Sequence, residues 1–399
     1  MTGPHEQHNG DNEPGSADAV QVEWLKGEGT DADVVVSSRV RLARNLAGMP
    51  FVNVASLDER ANVLETCKQR IMSSDPDRSI LQRIVWVDLH TVDEIDRQLL
   101  VERHLASQQH ANGSRTRGKP DLRTPRAVAV GLPDERVSIM VNEEDHLRMQ
   151  VIRSGLAFDE AFSEVSRIDD LLEQDLEFAF SQRFGYLTAC PTNVGTGARF
   201  SAMLHLPALT IAGEIDKVKR AVTDMSLALR GFFGEGSEAI GDFYQISNQT
   251  TLGMSEQKLM NELAKQILPQ VIRYERAARA KLLRGGTIRV ADQAHRALGI
   301  AKHARLLTTE EAMKLLSRIR MGVVMGLIDN LPMQAVHRLM LQIHPAHLQR
   351  MVGKSINQDE RQDARASLAR ARLHDAVAVD PDILQPGSDG PPSNDSGSA

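Results

Sequence analysis

Three consecutive acids stand in the middle of one stretch, Val141-Asn142-Glu143-Glu144-Asp145-His146-Leu147-Arg148. Apolar residues alternate before it, from Val137 to Val141, and after it, from Leu147 to Val151, so both flanks are predicted to be β-strands. Adjacent carboxylates repel one another and are stable only in solvent or opposite cations. The pattern therefore predicts a hairpin whose acids lie at the edge of a core, although by itself it is also typical of an ordinary charged loop.

The composition is that of a globular protein. The chain has 399 residues, of which 41% are hydrophobic and 25% charged, and its formal net charge of -6 gives no indication of bulk nucleic-acid binding. Two cysteines, Cys67 and Cys190, are too few for a disulfide framework and favour a reducing compartment. The sequence contains neither a membrane-spanning apolar run nor a signal peptide. We therefore expect a cytoplasmic protein that binds neither a membrane nor nucleic acid directly.

Hydrophobic periodicity divides the chain into four parts. Residues 1–19 and 386–399 are polar and rich in small residues, which predicts disordered tails. In residues 20–256, short strand-like runs alternate with amphipathic helices, so we predict an α+β domain with a mostly antiparallel sheet. Residues 257–385 have helical periodicity, and helices that face only one another predict a separate all-α domain.

Two arginines alternate along a predicted strand in Ser37-Ser38-Arg39-Val40-Arg41. Side chains two residues apart on a strand point to the same face, so the two guanidinium groups repel unless an anion lies between them. Because arginine donates paired hydrogen bonds to phosphate oxygens, the pattern indicates a polyphosphate site. By itself it is equally typical of a solvated basic strand face.

A cysteine precedes a second motif, Cys190-Pro191-Thr192-Asn193-Val194-Gly195-Thr196-Gly197-Ala198-Arg199, after a strand predicted over residues 186–190. Small residues allow backbone amides to approach a ligand, and Cys190 is either a stabilised thiolate or an inert buried side chain. A third motif, Arg230-Gly231-Phe232-Phe233-Gly234-Glu235-Gly236-Ser237-Glu238, is typical of a loop that closes over a site or of a surface turn. The sequence has no P-loop, protein-kinase signature or zinc cluster, so an ATP site would depend on arginines.

Together with Ile246-Ser247-Asn248, these motifs resemble the catalytic domain of the phosphagen kinases, the ATP:guanido phosphotransferases, in order and approximate spacing between Asp33 and Glu256. The resemblance implies phosphoryl transfer from ATP to a guanidino group. It also implies Mg²⁺ held mainly by nucleotide phosphates and water, with no dedicated protein metal site. It assigns the two catalytic carboxylates to Glu144 and Glu238, and the reactive cysteine to Cys190.

The same resemblance implies which residues bind ATP. His104, on a helix predicted over residues 91–107, resembles a histidine near the adenine, whereas His146 is expected to hold the acidic turn. Phe233 departs from the small-molecule arginine kinases, which carry an arginine there, so one cation of the phosphate clamp is missing or its role is taken by another residue. The expected nucleotide-binding residues are Ser37, Ser38, Arg39, Val40, Arg41, His104, Arg148, Arg199, Phe200, Ser201, Ala202, Met203, Arg230, Gly231, Phe232, Phe233, Gly234 and Glu235.

The two ends of the catalytic region bear on the choice of substrate. Small-molecule phosphagen kinases have a helical domain before the first arginine strand, whereas here the motif begins at Ser37 and a helical region follows. This arrangement resembles the bacterial protein-arginine kinases, which phosphorylate exposed arginines and mark proteins for an AAA+ Clp protease or inactivate a repressor. The resemblance also implies a zinc-finger-type activator protein and is compatible with a homodimer.

Two alternatives stay open. One is a kinase of free arginine or another small guanidino compound, and the other is a non-catalytic adaptor that binds phosphoarginine. Glu144, Glu238 and Cys190 argue against the adaptor, because an adaptor gains nothing from paired carboxylates that face a phosphate clamp.

A second anion site is implied in the helical region. The protein-arginine kinases carry an Arg-Asp-x-x-Arg-Ala motif that binds phosphoarginine, and the matching stretch here is Arg361-Gln362-Asp363-Ala364-Arg365-Ala366. Arg361 and Arg365 lie one turn apart on a helix, so both can contact one phosphate. Gln362 replaces the family's aspartate, and a solvated pair remains the alternative. We also expect a basic loop, either solvated or steering acidic partners, with Arg115, Arg117, Lys119, Arg123 and Arg126.

Overall fold

The computed structural model describes residues 22–73, 83–116, 119–231 and 240–379. The two predicted tails lie outside the described residues, and so do five residues expected in the site, Phe232, Phe233, Gly234, Glu235 and Glu238.

An eight-stranded antiparallel sheet forms the centre of the molecule, with strand order β11-β12-β10-β1-β7-β6-β5-β2. Three two-stranded ribbons accompany it, formed by β3–β4, β8–β9 and β13–β14. The strands are β1 (Val35–Arg44), β2 (Ile84–Asp88), β3 (Ser114–Thr116), β4 (Lys119–Asp121), β5 (Ala127–Gly131), β6 (Val137–Val141), β7 (Leu147–Ser154), β8 (Phe180–Ser181), β9 (Gly185–Tyr186), β10 (Ala198–His205), β11 (Leu227–Arg230), β12 (Phe243–Asn248), β13 (Ile328–Asp329) and β14 (Val377–Ala378). The α+β class with an antiparallel sheet is confirmed.

The helices flank this sheet and then continue to the end of the described chain. They are α1 (Leu57–Ile71), α2 (Glu94–Glu102), α3 (Gln108–Asn112), α4 (Phe158–Glu173), α5 (Pro207–Ile211), α6 (Ile215–Asp224), α7 (Glu256–Asn261), α8 (Leu268–His303), α9 (Thr309–Val324), α10 (Met333–Gln342), α11 (Pro345–Val352) and α12 (Gln358–Arg372). A π-helical turn over Glu262–Ile267 joins α7 to α8, and short 3₁₀ turns cover Glu23–Leu25, Pro191–Asn193 and Ile240–Asp242.

The two faces of the sheet differ in chemistry because successive side chains on a strand alternate. In β1, Val40 and Leu42 point into the main core, where α4 covers them with Val165 and Ile168. The opposite face carries the polar residues of the same strands. Helices cover that face at both ends and leave its centre open: the α2–α3 connection packs at one end and the C-terminal helices at the other.

The C-terminal helices pack on the region that contains the sheet, so the prediction that they face only one another is wrong. One core cluster joins Trp24, Met203 and Phe243 to Met313 of α9 and Ala297 of α8. Sequence periodicity finds apolar helix faces but cannot say which surface covers them. The position of the boundary between the two regions stays a prediction.

Two predicted elements near the site have different bounds in the structure. The helix expected over residues 91–107 is confined to α2, and His104 lies in the connection between α2 and α3 with a positive φ of 62°. The strand expected over residues 186–190 is confined to β9, and Cys190 precedes a 3₁₀ turn. Helix α11 was missed because it is only 8 residues long and directly follows α10.

Candidate active site

Five arginines on neighbouring strands converge on the open centre of the polar sheet face. Arg41 of β1 pairs in register with Gln150 of β7 and with Arg199 of β10. The cleft that they line has a volume of about 170 Å³, and its arginines are Arg39, Arg41, Arg148, Arg199 and Arg230. Strand alternation therefore places the expected phosphate-clamp arginines together, as the spacing of Arg39 and Arg41 predicts.

The cleft concentrates positive charge. Burial, together with the charges of Arg199, Arg148 and Arg230, lowers the pKa of Arg39 to about 10. Burial and the neighbouring arginines also place the pKa of Arg41 well below its usual value. The Nε atom of Arg41 is buried and has no hydrogen-bond partner among the described residues. Such an arrangement stores repulsion that a polyanion would relieve, so the residues fit the phosphates of a nucleotide.

The acidic turn projects from the β6–β7 hairpin beside these arginines. Asn142 begins it in the left-handed conformation, with φ 59°, which asparagine adopts more readily than most residues. The carboxylate of Glu143 is buried and accepts hydrogen bonds from Ser107 Oγ at 2.7 Å and from the backbone N–H of Glu144 at 2.9 Å. An ion pair of 2.8 Å joins it to Arg148. Burial raises the pKa of Glu143, but Arg148 and His110 outweigh burial and the net pKa is lowered.

Glu144 lies on the rim of the cleft. Its side chain is 41% exposed, and its Oε2 accepts a hydrogen bond of 2.7 Å from Nη2 of Arg148. Burial lowers the pKa of Arg148, but the carboxylates of Glu143 and Glu144 outweigh it and the pKa is raised. A solvent-accessible carboxylate that already contacts one guanidinium group can exchange it for, or share it with, another from outside.

Asp145 and His146 hold the turn in place and do not face the cleft. His146 accepts the N–H of Leu46 at 3.0 Å through Nδ1 and contacts the carbonyl of Pro50 at 2.9 Å through Nε2. Asp145 accepts the N–H of Ala189 at 2.7 Å, which ties the cysteine segment to the acidic turn. The expected structural role of His146 agrees with these contacts.

Cys190 is half-buried, and its Sγ lies 3.0 Å from Oγ1 of Thr192. The glycines after it serve packing between segments. A Cβ at Gly197 would lie 2.6 Å from the carbonyl oxygen of Ala43, and one at Gly195 would lie 2.7 Å from that of Thr251. The small residues therefore allow this loop to lie against β1 and the segment after β12, while Gly197 also lines the cleft.

His104 lines the cleft from the α2–α3 connection. Its ring meets Trp24 edge to face at 5.1 Å, and its carbonyl accepts a hydrogen bond of 2.6 Å from Gln150. Burial, together with the charge of Arg39, lowers the pKa of His104 to about 3, so the ring is neutral at physiological pH. The neighbouring Ser37, Ser201 and Met203 line a small cavity that adjoins His104 and Arg39.

Four of the side chains expected to bind the nucleotide point away from the cleft, to the opposite face of the sheet. Ser38 donates a hydrogen bond to the carbonyl of Gly155 at 2.8 Å, and Val40, Phe200 and Ala202 belong to the main core. Phe200 stacks at a tilt against Phe162, with ring centroids 5.5 Å apart. The expected nucleotide-binding residues include consecutive positions of a motif, whereas a strand presents only alternate side chains to the cleft.

Several polar residues of the cleft were not singled out as site residues. Ser247 accepts hydrogen bonds from Arg199, at 3.1 Å from Nη2, and Gln150 and Gln245 line the cleft between the arginines. Each lies on the same strand face as an arginine, so alternation along Tyr244-Gln245-Ile246-Ser247 was the available signal. Arg230 lines the cleft at the end of β11 and Gly231 follows it, buried, as the last described residue before the gap at 232–239.

The arginine pair implied in the helical region is engaged with the backbone. Arg365 is only 2% exposed and donates to the carbonyls of Ile343 and Leu307, each at 2.7 Å. Arg361 is half-buried and donates to the carbonyl of Ile356 at 2.8 Å. Burial and the adjacent charge of Arg361 lower the pKa of Arg365 to about 10.

Arg126 is not part of a basic surface. It is buried and donates to the carbonyls of His110, Ala111, Leu122 and Thr124, so it holds the loop together. Arg123 is exposed and pairs with Asp121. Arg117 lies outside the described residues, and the side chains of Arg115 and Lys119 are not among those described.

Other cavities lie away from this chemistry. One cavity of about 870 Å³ opens between α8 and α9, and an apolar groove of about 500 Å³ lies between α6 and α8. Within the described residues, no three His, Cys, Asp or Glu side chains are arranged to hold a metal ion. In the same part of the chain, every helix falls short of the length and apolar character needed to cross a bilayer.

Comparison with protein families gives two adjoining matches. The family model described as ATP:guanido phosphotransferase, C-terminal catalytic domain, matches residues 67–278, and the one described as Protein-arginine kinase McsB C-terminal domain matches residues 287–382. The interval between them falls within α8, where Gly286 departs from helical geometry.

Curated relatives match over most of the chain. A protein-arginine kinase of Halothermothrix orenii is 42% identical over 352 residues, which is 88% of this chain and 96% of the relative. One from Pelotomaculum thermopropionicum is 41% identical over 349 residues, covering 87% of this chain and 94% of the relative.

Two solved structures share the fold. A duplicated taurocyamine kinase from Schistosoma mansoni, with bound transition state analog components, has a TM-score of 0.53 and 24% identity, covering 66% of this chain and 35% of that chain. A lombricine kinase has the same TM-score and identity, covering 67% of this chain and 74% of that chain.

Proposed function

The chain belongs to the protein-arginine kinases of the ATP:guanido phosphotransferase family, and from that premise we propose how its cleft works. It transfers the γ-phosphoryl group of ATP to arginine side chains of proteins. The arginine face of the sheet binds the triphosphate, and Glu144 receives the guanidinium group of the substrate. One observation carries this proposal: five arginines and the exposed carboxylate of Glu144 line the same cleft.

A guanidinium group is a poor nucleophile, because its pKa lies above about 12 and its nitrogens are protonated at neutral pH. A carboxylate that accepts its N–H bonds fixes the plane of the group and aligns one nitrogen with the phosphorus. The same carboxylate can accept the proton that is lost as the N–P bond forms. Glu144 is proposed for this role, since its oxygen already accepts a guanidinium N–H of Arg148 at 2.7 Å.

The triphosphate is proposed to lie over Arg39, Arg41 and Arg199. Burial and, after it, their mutual repulsion lower the pKa values of Arg39 and Arg41, and an anion between the arginines removes that repulsion. Positive charge fixed in place before the reaction stabilises the charge that spreads over the phosphate oxygens in the transition state. Mg²⁺, when bound with the nucleotide, neutralises further phosphate charge and is expected to keep water and phosphate ligands.

Glu238 and Cys190 are proposed as the partners of Glu144 through their place in the family motifs. Glu238 lies outside the described residues, and its segment begins after Gly231 and ends before Ile240. Cys190 is held near the acidic turn, because its neighbour Ala189 donates to Asp145. A second carboxylate would accept the other edge of the substrate guanidinium and hold it in one plane.

The finer partners also rest on the family. We infer that marked proteins pass to an AAA+ Clp protease, that a zinc-finger-type protein activates the enzyme and that the location is cytoplasmic. The match of residues 287–382 to a domain known from protein-arginine kinases supports the first two. Two cysteines in 399 residues support a reducing compartment. A homodimer is compatible with these inferences, and none of them depends on it.

Mass spectrometry tests the proposal directly. Incubation with MgATP and an arginine-rich unfolded protein is expected to produce acid-labile phosphate on arginine, and free arginine is expected to be a poor substrate. Glu144→Gln should lower the transfer rate by about 100-fold or more, because a neutral amide cannot take the proton. The affinity for MgATP should stay within about twofold of the wild-type value, since the phosphate-binding arginines are retained.

The exposed Glu160→Gln of α4, on the other side of the sheet, is the matched control and should retain full activity. Efficient phosphorylation of free arginine with none on protein would favour the small-guanidine kinase instead. A fully active Glu144→Gln would remove the assigned role of Glu144.

A further inference from the structure

One wall of the cleft consists of a single segment, formed by the end of α2, the start of α3 and the connection between them. Its cleft-lining residues are Val101, His104, Ala106, Ser107, Gln108 and Gln109. At its front the segment is tied to the sheet, because His104 accepts a bond from Gln150 and Ser107 donates one to Glu143. The position of this wall therefore affects both the small cavity at His104 and the acid that orients Arg148.

The back of the same wall is held by the C-terminal helices. Glu102, the last residue of α2, is only 1% exposed and reaches the N-terminus of α11. Its two carboxylate oxygens accept the backbone N–H groups of Ala346 at 2.9 Å and His347 at 3.1 Å. The ring of His347 contacts the same carboxylate through Nδ1 at 2.7 Å. Three donors and the positive end of a helix thus converge on one buried acid.

We call these bonds between Glu102 and the start of α11 the joint. Two further contacts extend the joint, one toward the cleft wall and one toward α12. Arg103 donates from Nε to Nε2 of His347 at 3.3 Å and pairs with Glu135, so the next residue of the wall contacts α11 as well. On the far side, Arg365 of α12 donates to the carbonyl of Ile343, two residues before α11 begins. The joint therefore lies between α12 and the cleft.

We infer that Glu102 is a positioning residue for the proposed ATP site, through which the C-terminal helices set the place of the cleft wall. Glu102 itself touches neither the cleft nor the reacting groups. Its effect passes through the peptide units of Arg103 and His104, which directly follow it in the chain. This inference rests on the proposed function, since it takes the cleft to be the ATP site.

The chain offers a matched control at a second helix. Glu275 of α8 is fully buried and accepts the backbone N–H groups of Ala208 at 3.1 Å and Leu209 at 3.0 Å, at the start of α5. It differs in having Arg279 as a partner, and it does not line the cleft. Glu102→Gln and Glu275→Gln each replace one accepting oxygen by an amide nitrogen that faces N–H donors, so both are expected to lower the melting temperature.

Affinity for MgATP separates a positioning role from a general loss of stability. Measured by titration calorimetry below the melting temperature, the Kd for MgATP should rise about 3- to 30-fold in Glu102→Gln and stay unchanged in Glu275→Gln. Calorimetry needs no phosphoryl acceptor, so it does not depend on the identity of the protein substrate. Glu102→Asp keeps the charge and should recover part of the affinity.

Trp24 provides a second readout that does not involve the nucleotide. The chain has two tryptophans, and Trp86→Phe leaves Trp24 as the single emitter beside His104. In that background Glu102→Gln should shift the emission of Trp24, and Glu275→Gln should not. If Glu102→Gln does not fold, His347→Gln tests the same joint from α11.

Two outcomes would overturn the inference: an unchanged Kd and Trp24 emission in Glu102→Gln, or equal changes in both glutamate variants. A wild-type protein that binds no MgATP would instead overturn the proposed function.

Discussion

Two groups of buried arginines in this molecule behave in opposite ways. Arg320 of α9 donates to the carbonyls of Ala32 and Asp33 and to ring nitrogens of His205 and His337, with distances from 2.8 to 3.0 Å. We call it a structural arginine, together with Arg126 and Arg365, whose donors are also directed at carbonyls of the fold.

Arg39 and Arg41 of the cleft are held more loosely by the protein. Among the described residues, Arg39 reaches only Ser201 Oγ, at 3.4 Å, and the buried Nε of Arg41 has no partner. The structural arginines and, in the cleft, Arg39 and Arg41 all have lowered pKa values, and burial is the largest cause in each. A lowered pKa therefore does not identify a ligand site by itself. The difference lies in whether the fold already satisfies the donors of the guanidinium group.

Removing one member of each group should have opposite consequences, and this is the largest effect we expect. Arg320→Met leaves two buried carbonyls and two ring nitrogens without their donor, which should lower the free energy of unfolding by about 3 kcal/mol or more. Arg41→Met removes a like charge from a repelling cluster, so stability should be unchanged or higher. Its kcat/KM for protein phosphorylation should fall about 100-fold, as for other preorganised donors.

Denaturant unfolding and initial rates below the melting temperature check the pair. Arg320→Met and Arg41→Met make the same chemical replacement, so each variant is the control for the other. Equal losses of stability in the two variants would abolish the distinction between the groups.

The sequence predicts the cleft arginines better than the structural ones. The alternation of Arg39 and Arg41 on a strand is a local pattern, and local patterns determine which face a side chain occupies. By the same rule, Ser38, Val40, Phe200 and Ala202 should have been assigned to the opposite face. The family motif led to consecutive residues being included.

Long-range packing could not be predicted in the same way. Arg320 and Arg365 look like ordinary helix residues in the sequence, because their partners lie in segments far away along the chain. Likewise, periodicity gives no sign that Glu102 reaches α11 or that Trp24 packs with the C-terminal helices. Apolar and charged residues on a helix indicate a face, whereas the surface that covers the face depends on tertiary structure.

Histidines beside buried arginines give a second, smaller test. Burial lowers the pKa of His104 to about 3, with a contribution from Arg39, and lowers those of His110 and His344 to about 4. In the unfolded chain these three rings bind protons near pH 6.5, whereas in the folded protein they stay neutral at that pH. The stability from these neutral rings is therefore complete above about pH 6.5 and is lost as the pH falls toward 4, by about 2 kcal/mol per ring at pH 5.

Urea unfolding between pH 7 and pH 5 measures this loss, and His104→Asn provides the matched variant because asparagine tolerates a positive φ. The slope of the unfolding free energy against pH is proportional to the number of protons taken up on unfolding. Removal of His104 should lower that number by close to one. An unchanged slope would mean that His104 is already protonated beside Arg39, in conflict with the charge that we assign to the cleft.

The smallest expected effect concerns Arg361 and Arg365, the pair implied to bind phosphoarginine. Arg365 is a structural arginine, whereas Arg361 is held by a single half-buried bond. Arg365→Gln removes two buried bonds to Ile343 and Leu307 and should cost about 1.5 kcal/mol of unfolding free energy. Arg361→Gln loses one half-buried bond and should cost less than about 0.5 kcal/mol. If phosphoarginine binds here, Arg361 should therefore matter more for its affinity than for stability, and Arg365 the reverse.

Calorimetric titration with phosphoarginine, alongside thermal unfolding of both variants, separates the two quantities. An Arg365→Gln variant that kept its stability but lost phosphoarginine binding would move Arg365 into the ligand-binding group, and satisfied donors would no longer distinguish a structural arginine from a functional one.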